Sequence, residues 1–222
     1  MKKKLHLLNC LLILCCSAMA ATPADSIQVK GIPHSFSWIN TPKSFQVTDN
    51  ALTITGAKGS DFFNYPGGNY NVATAPILAF TPDKDFILTV KVKVDFRKEY
   101  DGGAIYLMAD STQWLKFLFE FTGDKKMLVC SSVTNTYTDG SNNAFAPTNE
   151  VYLRLSKSGN MYGFFYSFDG KAWESARMVN FQPKGPCRLG FSSQSPLGES
   201  CTSTFSEISY IPRAYKSNKT GL

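Results

Sequence analysis

Trp114, Lys116 and Glu120 share one parity in a stretch that alternates like a β-strand. Successive side chains of a strand point to opposite faces, so these three would lie on the same face. An indole can stack on the C–H face of a sugar ring, while an ammonium and a carboxylate can hydrogen-bond its hydroxyls. Trp114 and Glu120 would lie ~20 Å apart along the strand, which favours an extended groove. The pattern predicts a glycan-binding platform.

A purely structural explanation of the same residues is open. Lys116 and Glu120 would then form ordinary ion pairs with cross-strand residues such as Arg154, and Trp114 would be half-buried packing. Under the binding hypothesis Arg154 instead joins the site, together with Tyr65 and Tyr70 from a turn-rich loop that can line the edge of a groove.

Glycoside hydrolysis is the catalytic alternative, and it needs two carboxyl groups about 5–10 Å apart. The residues before Glu120 on its own face are Leu118 and Lys116, so a row of carboxylates along this strand is missing. Asp101, just before Gly102-Gly103, is the one carboxylate that an adjacent strand would bring near Glu120; its other explanation is a turn cap. We therefore favour ligand binding over glycoside hydrolysis, in which Asp101 and Glu120 would be the catalytic pair. A non-catalytic protein-interaction module is a third possibility.

Charge and residue usage exclude several other functions. The net charge is +6, and +3 without Lys2, Lys3 and Lys4, with no basic cluster that would indicate nucleic-acid binding. Beyond the first 20 residues His34 is the single histidine, which argues against Cys/His metal sites and Ser-His-Asp catalysis. We expect no cofactor; calcium is possible, although no Asp/Asn cluster at ligand spacing stands out.

The N-terminus has the pattern of a secretory signal peptide. Three lysines precede an apolar run that ends in the small-residue pattern before Ala21, so we expect cleavage after residue 20. A lipoprotein signal is the less favoured alternative, because no small residue precedes Cys15 or Cys16. We expect a secreted or periplasmic protein without an integral membrane segment, in which Cys187 and Cys201 could pair.

The remaining chain predicts a single all-β domain. About a dozen short alternating segments are separated by turn residues, including Asp169-Gly170, which is typical of a tight hairpin. We expect a flexible lead at 21–34, a sandwich of two antiparallel sheets at 35–212 and a tail at 213–222. Residues 134–148 are interpreted as a long polar loop.

An ordered set of short motifs spans most of this domain. In chain order they are Trp38-x-Asn40-x-Pro42, Asp61-Phe62, Ala75-Pro76-x-Leu78, Asp101-Gly102-Gly103, Trp114-x-Lys116-x-x-x-Glu120, Arg154-Leu155, Ser167-x-Asp169-Gly170-x-x-Trp173, Gly190-Phe191 and Ser195-Pro196. The set resembles a family of concanavalin A-like domains of unknown function that also includes a fungal regulator of enolase.

The resemblance implies a jelly roll of two curved sheets, related to legume lectins, glucanases and the accessory domain of some bacterial β-xylosidases, with the ligand groove on the concave sheet. Two departures concern that groove. The family often has an aromatic-Trp pair after its Asp, where this chain has Phe62-Phe63, and a Ser-Asp-Trp step that is missing around Ser132–Asn135.

Overall fold

The computed structural model describes residues 26–222. The expected signal peptide at 1–20 and the first part of the expected lead lie outside the described residues. None of the described residues forms a helix long and apolar enough to cross a membrane. The strands are, in chain order, β1 (Ser37–Ile39), β2 (Ser44–Val47), β3 (Ala51–Ala57), β4 (Phe62–Asn64), β5 (Asn71–Ala73), β6 (Ile77–Phe80), β7 (Phe86–Asp95), β8 (Gly102–Asp110), β9 (Gln113–Phe121), β10 (Met127–Asn135), β11 (Tyr137–Ala146), β12 (Glu150–Ser158), β13 (Met161–Ser167), β14 (Glu174–Asn180), β15 (Arg188–Gln194) and β16 (Ser200–Ile211).

Two seven-stranded sheets make up most of the described chain. Sheet 1 has the strand order β1-β6-β15-β8-β9-β10-β11, and sheet 2 has the order β14-β13-β12-β7-β16-β3-β2. Neighbouring strands in both sheets run antiparallel. The predicted all-β sandwich of two antiparallel sheets is confirmed.

The main core lies between the two sheets. β9 contributes Leu115, Phe117 and Phe119, all fully buried, and β7 contributes a similar row that begins at Phe86 and Leu88. The predicted apolar face of β9 is therefore confirmed as core. Its other face points away from the sandwich, on what we call the outer face of sheet 1.

The β4–β5 hairpin lies across this outer face. Asn64 ties it to the sheet edge by donating from Nδ2 to the carbonyl of Thr136 at 3.0 Å. Phe62 packs against Tyr106 and Trp114, with ring centroids 5.7 and 6.5 Å away. The hairpin thereby covers a second group of buried residues, the outer cluster: Phe62, Ala75, Ile77, Ala79, Ala104, Tyr106, Met108, Trp114, Leu118, Leu128 and Cys130.

Both chain segments that flank the sandwich are packed onto it; in the C-terminal tail, Tyr215 is buried with its ring centroid 6.2 Å from that of Phe165. Val29 and Ile32 are buried in the main core, so the expected lead at 21–34 is part of the domain from Ser26 onward. Its apolar side chains were too few to show any periodicity. His34, at the end of this segment, lies 2.8 Å from the carboxylate of Asp83.

Residues 134–148, predicted to be a loop, contain strand β11. This strand is the edge of sheet 1 and pairs with β10 alone. An edge strand with two largely solvated faces can be built from Ser, Thr and Asn, so the apolar alternation that marks other strands is missing.

The three cysteines within the described range are all free thiols. Cys201 is buried where β16 pairs with β3, while Cys187 precedes β15 and is half-buried. The disulfide that we considered between them is absent from the described structure.

Candidate functional site

A cleft of about 680 Å³ opens on the outer face of sheet 1, beside the β4–β5 hairpin. Its lining comes from β9, from the hairpin and the residue before it, from β10 and β11, from the segment that precedes β8, and from the end of β15 with the segment that follows. The lining residues are Asp61, Phe63, Tyr70, Tyr100, Lys116, Leu118, Glu120, Cys130, Ser132, Gly140, Ser141, Asn142, Gln194, Pro196 and Leu197. The sequence thus brings together residues from six separate segments.

Lys116 is buried at the inner end of the cleft, and its ammonium is fully hydrogen-bonded. Nζ donates to Asp61 Oδ1 at 3.1 Å, to the carbonyl of Phe62 at 2.9 Å and to Gln194 Oε1 at 3.2 Å. An ammonium has three donors, so none is left for a ligand. Burial acts to lower the pKa of Lys116, but the charge of Asp61 and the other nearby acidic groups outweighs it and raises the pKa. Lys116 therefore stays charged.

Asp61 links the hairpin to this ammonium. Its Oδ1 also accepts from the backbone N–H of Phe62 at 2.7 Å, which orients the carboxylate at the start of β4. The side chain of Asp61 is 15% exposed, compared with 5% for Lys116, and it lines the cleft. Within residues 26–222 its second oxygen, Oδ2, has no hydrogen-bond donor from the protein, so it remains available to a ligand.

Glu120 lies two residues beyond Leu118 on β9, half-buried at the floor of the cleft. Burial raises its pKa to about 7, and the negative charges of Asp61 and Glu99 add to this effect, while Lys116 opposes it. Among the described residues its one side-chain partner is the thiol of Cys130, 3.9 Å from Oε1. A thiol is a weak donor, so this carboxyl group has little compensation from the protein.

Aromatic rings line the open side of the cleft. Tyr70, directly before β5, is 52% exposed, and Tyr100 before β8 is 44% exposed. Phe63 backs Tyr70 at a ring-centroid distance of 6.4 Å, and Gln194 Nε2 holds the Tyr100 carbonyl at 3.2 Å. Such rings offer flat apolar faces next to polar groups, as sugar-binding and other small-ligand sites do.

Trp114 does not occupy the predicted position. It shares the outer face with Lys116, as its parity indicates, but it is fully buried beneath the hairpin. Its ring contacts Phe62 and stands 5.6 Å from the Lys116 ammonium. The expectation of an indole open to ligand is therefore wrong in this structure, because a segment 50 residues earlier in the chain covers that part of the sheet.

Arg154 lies on the outer face of sheet 2, away from the cleft. Its guanidinium stacks 3.6 Å from the ring centroid of Trp173, donates from Nε to Thr89 at 2.8 Å and contacts the carbonyl of Thr220 in the C-terminal tail. Burial lowers its pKa to about 10. Neither predicted role, in a ligand groove or in an ion pair with Lys116 or Glu120, is compatible with this position.

Asp101 and Glu120 do not form a carboxylate pair. Gly102 lies opposite Glu120 in the β8–β9 register, so Asp101, one residue earlier, has the opposite parity. Its carboxylate is fully buried and accepts from the backbone N–H of Lys98 at 2.8 Å and from the Ser195 hydroxyl at 2.7 Å. The alternative explanation, a turn cap, describes it.

Of the two predicted loop tyrosines, Tyr70 lines the cleft and Tyr65 does not. Tyr65 is 46% exposed on the same hairpin and packs against Phe63, with ring centroids 6.3 Å apart. The residues that sequence reasoning missed are Asp61, Tyr100, Cys130, Asn142 and Gln194. Among these, only Asp61 could have been found from the sequence, since it is part of the motif Asp61-Phe62. A lysine that is buried on β9 needs a carboxylate partner from elsewhere in the chain, and Asp61 is that partner.

Metal ligands are not grouped in the described structure. Across residues 26–222, no three or more His, Cys, Asp or Glu side chains lie together in a way that could hold a metal ion.

Fold and cleft together define a β-sandwich protein with a polar, aromatic-lined cleft on one sheet. The chain belongs to the family described as "Protein of unknown function (DUF1349)", whose model matches residues 38–213. That range contains every residue that lines the cleft. A search of the curated proteins found no match.

Solved structures share the fold. A functionally unknown protein from Saccharomyces cerevisiae is 23% identical, with a TM-score of 0.73 over 79% of this chain and 95% of that one. A point mutant of the GH43 protein BlXynB from Bacillus licheniformis is 14% identical, with a TM-score of 0.60 over 82% of this chain and 36% of that one. For a xylan beta-1,4-xylosidase from Bacillus halodurans the identity is 11% and the TM-score 0.57, over 75% and 37% of the two chains. This chain thus spans about a third of either protein.

Proposed function

We propose that the protein binds a carbohydrate in the cleft on sheet 1. The carrying observation is the combination of half-exposed aromatic rings, Tyr70 and Tyr100, with the carboxyl groups of Glu120 and Asp61 in one open cavity of about 680 Å³. A pyranose presents apolar C–H faces and hydroxyl edges, which match rings and hydrogen-bonding groups respectively. The cleft holds one to a few sugar units by volume.

The relatives add only modest support. The two Bacillus proteins are similar to this chain over about a third of their own length, and at 11–14% identity the likeness concerns the fold alone. They fit a protein concerned with carbohydrate, but the cleft is what supports the ligand class. The N-terminal signal pattern further supports the proposal that the protein acts outside the cytoplasm, as a secreted or periplasmic protein.

A glycan array, followed by titration calorimetry on the sugars that bind, tests the proposal. The parent protein should bind at least one class of glycan, and Tyr70→Ala and Tyr100→Ala should weaken that binding about tenfold or more. Phe168→Ala is the matched control, since Phe168 is another exposed aromatic residue (43%) that does not line the cleft. No binding across the array would count against the proposal and favour the protein-interaction alternative.

Hydrolysis is a second candidate, favoured by one observation. The pKa of Glu120, raised by burial to about 7, is suited to a general acid near neutral pH. Asp61, not Asp101, is the other carboxylate in the cleft. Release of reducing sugar from a polysaccharide panel, abolished by Glu120→Gln, would support catalysis; a panel without release would exclude these polysaccharides as substrates and leave binding as the activity.

A further inference from the structure

The charged groups of the cleft differ in how many hydrogen-bond partners the protein gives them. Lys116 supplies the single cation of the lining, and its three donors are used by Asp61, Phe62 and Gln194. The carboxylate of Glu120 and the Oδ2 atom of Asp61 are charged acceptors without a strong donor among the described residues. The neutral groups, such as Ser132 and Asn142, can donate or accept. The cleft therefore offers a ligand charged acceptors but no charged donor.

Charge balance leads to the same conclusion. Asp61 and Lys116 neutralise each other at 3.1 Å, which leaves Glu120 as the excess charge. The other titratable groups that influence Glu120 are Glu99, from the segment before β8, and the thiol of Cys130 on β10. Neither is a cation. A half-buried carboxylate without a counter-ion either takes up a proton or binds a cation from outside.

The rings around the cleft favour the same kind of ligand. A cation within about 6 Å of an aromatic face is attracted by the ring quadrupole. Tyr70 and Tyr100 present such faces in the lining that contains Glu120. An ammonium group is attracted by both the carboxylate and the aromatic faces, whereas a hydroxyl gains only a hydrogen bond to the carboxylate.

We propose that Glu120 binds a protonated amine carried by a sugar, so that the ligand of the cleft is a glycan containing a free amino sugar. The inference rests on the proposed carbohydrate binding and adds the ligand's charge. A lysine side chain has the same ammonium, but the neutral amide and hydroxyl groups of Asn142 and Ser132 match the several hydroxyls of a sugar ring better. Acidic glycans are disfavoured, because their carboxylates would meet Glu120 and Asp61.

Three hexasaccharides with β-1,4 links, differing only at carbon 2, test the inference: the glucosamine hexamer, its fully N-acetylated form and cellohexaose. Titration calorimetry at pH 6.5 should show the glucosamine hexamer binding about tenfold tighter than the other two, which is the value of one hydrogen-bonded charge pair. Glu120→Gln should remove the preference. Glu207→Gln, an exposed carboxyl group on sheet 2, should keep it.

Proton release gives a second readout that needs no variant. Because the pKa of Glu120 is about 7 in the free protein and a sugar amine is already protonated at about pH 5.5, an ammonium at this position should displace up to about one proton per ligand at that pH. Calorimetry in two buffers with different ionisation enthalpies measures this number. Cellohexaose should release none. The readout applies even if Glu120→Gln fails to fold.

The outcomes separate this inference from the proposed function. Equal or tighter binding of cellohexaose, array hits without amino sugars, or a preference that survives in folded Glu120→Gln would overturn the amine assignment and leave carbohydrate binding intact. Binding of a lysine-rich peptide with no glycan binding would overturn both. Amine preference with proton release, lost in Glu120→Gln, would establish the assignment.

Discussion

Lys116 Nζ lies 3.1 Å from Asp61 Oδ1, in a pair whose side chains are only 5% and 15% exposed. The two residues are 55 positions apart, one on the sheet and one at the entry to the hairpin that covers it. Two opposite charges removed from water must be paired and hydrogen-bonded to be tolerated. This pair therefore fixes the hairpin against β9 and defines the inner end of the cleft.

Lys116→Met is expected to destabilise the protein by about 3–5 kcal/mol, because it leaves Asp61 and Gln194 without their shared donor. Urea unfolding measures this free energy. Asp61→Asn combined with Lys116→Met should cost less than the sum of the single changes, since the two residues act as a pair. Lys58→Met, which removes an exposed ion pair with Glu199, is the control and should leave stability unchanged. If the losses of unfolding free energy in Lys116→Met and Asp61→Asn simply added up in the double variant, the two residues would not be coupled.

Glu120→Gln should change how stability depends on pH. The pKa of Glu120 rises from about 4.3 in an unfolded chain to about 7 in the folded protein. The folded state then holds the proton of Glu120 more tightly than the unfolded state does. The stability that this proton contributes is complete below about pH 4 and is lost as the pH rises to 7. The parent should lose up to about 3 kcal/mol relative to the variant between pH 5 and 8. If urea unfolding shows the same change in the free energy of unfolding for parent and variant between the two pH values, the pKa of Glu120 is not raised by folding.

Trp114→Ala is expected to act on stability and not directly on ligand binding. Removing a fully buried indole from the outer cluster should cost about 3–5 kcal/mol. Tyr70→Ala, which removes a half-exposed ring from the cleft, should instead lower affinity with little loss of stability. Comparing thermal unfolding with ligand titration on both variants separates the two roles. A stable Trp114→Ala variant that no longer binds would restore the predicted role of Trp114 as a ligand platform.

The C-terminal tail should contribute to stability through Gly221. This residue has φ +72°, and a Cβ on it would lie 2.4 Å from Phe165 Cδ2. Its carbonyl also accepts from Ser156 at 2.8 Å. Gly221→Ala should therefore cost about 2–4 kcal/mol by thermal unfolding. Gly59→Ala, at φ +75° with no atom within 4 Å, is the control for backbone strain alone and should cost about 1 kcal/mol. Equal costs would show that the tail packing contributes nothing.

The fold could be predicted from the sequence wherever one face of a strand is core. Strand β9 shows this, because the alternation of Leu115, Phe117 and Phe119 depends only on local burial. Strand β11 was missed because an edge strand has no buried face to leave a pattern. The lead was missed because Val29 and Ile32 enter the core singly, without periodicity.

The site was predictable only as far as parity allowed. Parity placed Lys116 and Glu120 on one face correctly, and it did so for Trp114 too. It could not show that the hairpin covers one end of this face and leaves the other open, because that depends on contacts such as Lys116 with Asp61, made over 55 residues. Nor could it assign Arg154 to a sheet, since strand alternation says nothing about which sheet a strand joins.

The outer cluster is separate from the main core, and the β4–β5 hairpin covers the first without entering the second. Changes in the hairpin can therefore alter the shape and charge of the cleft while the packing between the sheets stays as it is. Descendants of one sandwich can in this way acquire different ligands by substitutions at exposed hairpin positions such as Tyr70, while Asp61 and Phe62 keep the hairpin in place. The same separation makes the hairpin the natural segment to randomise when selecting variants with a new binding specificity.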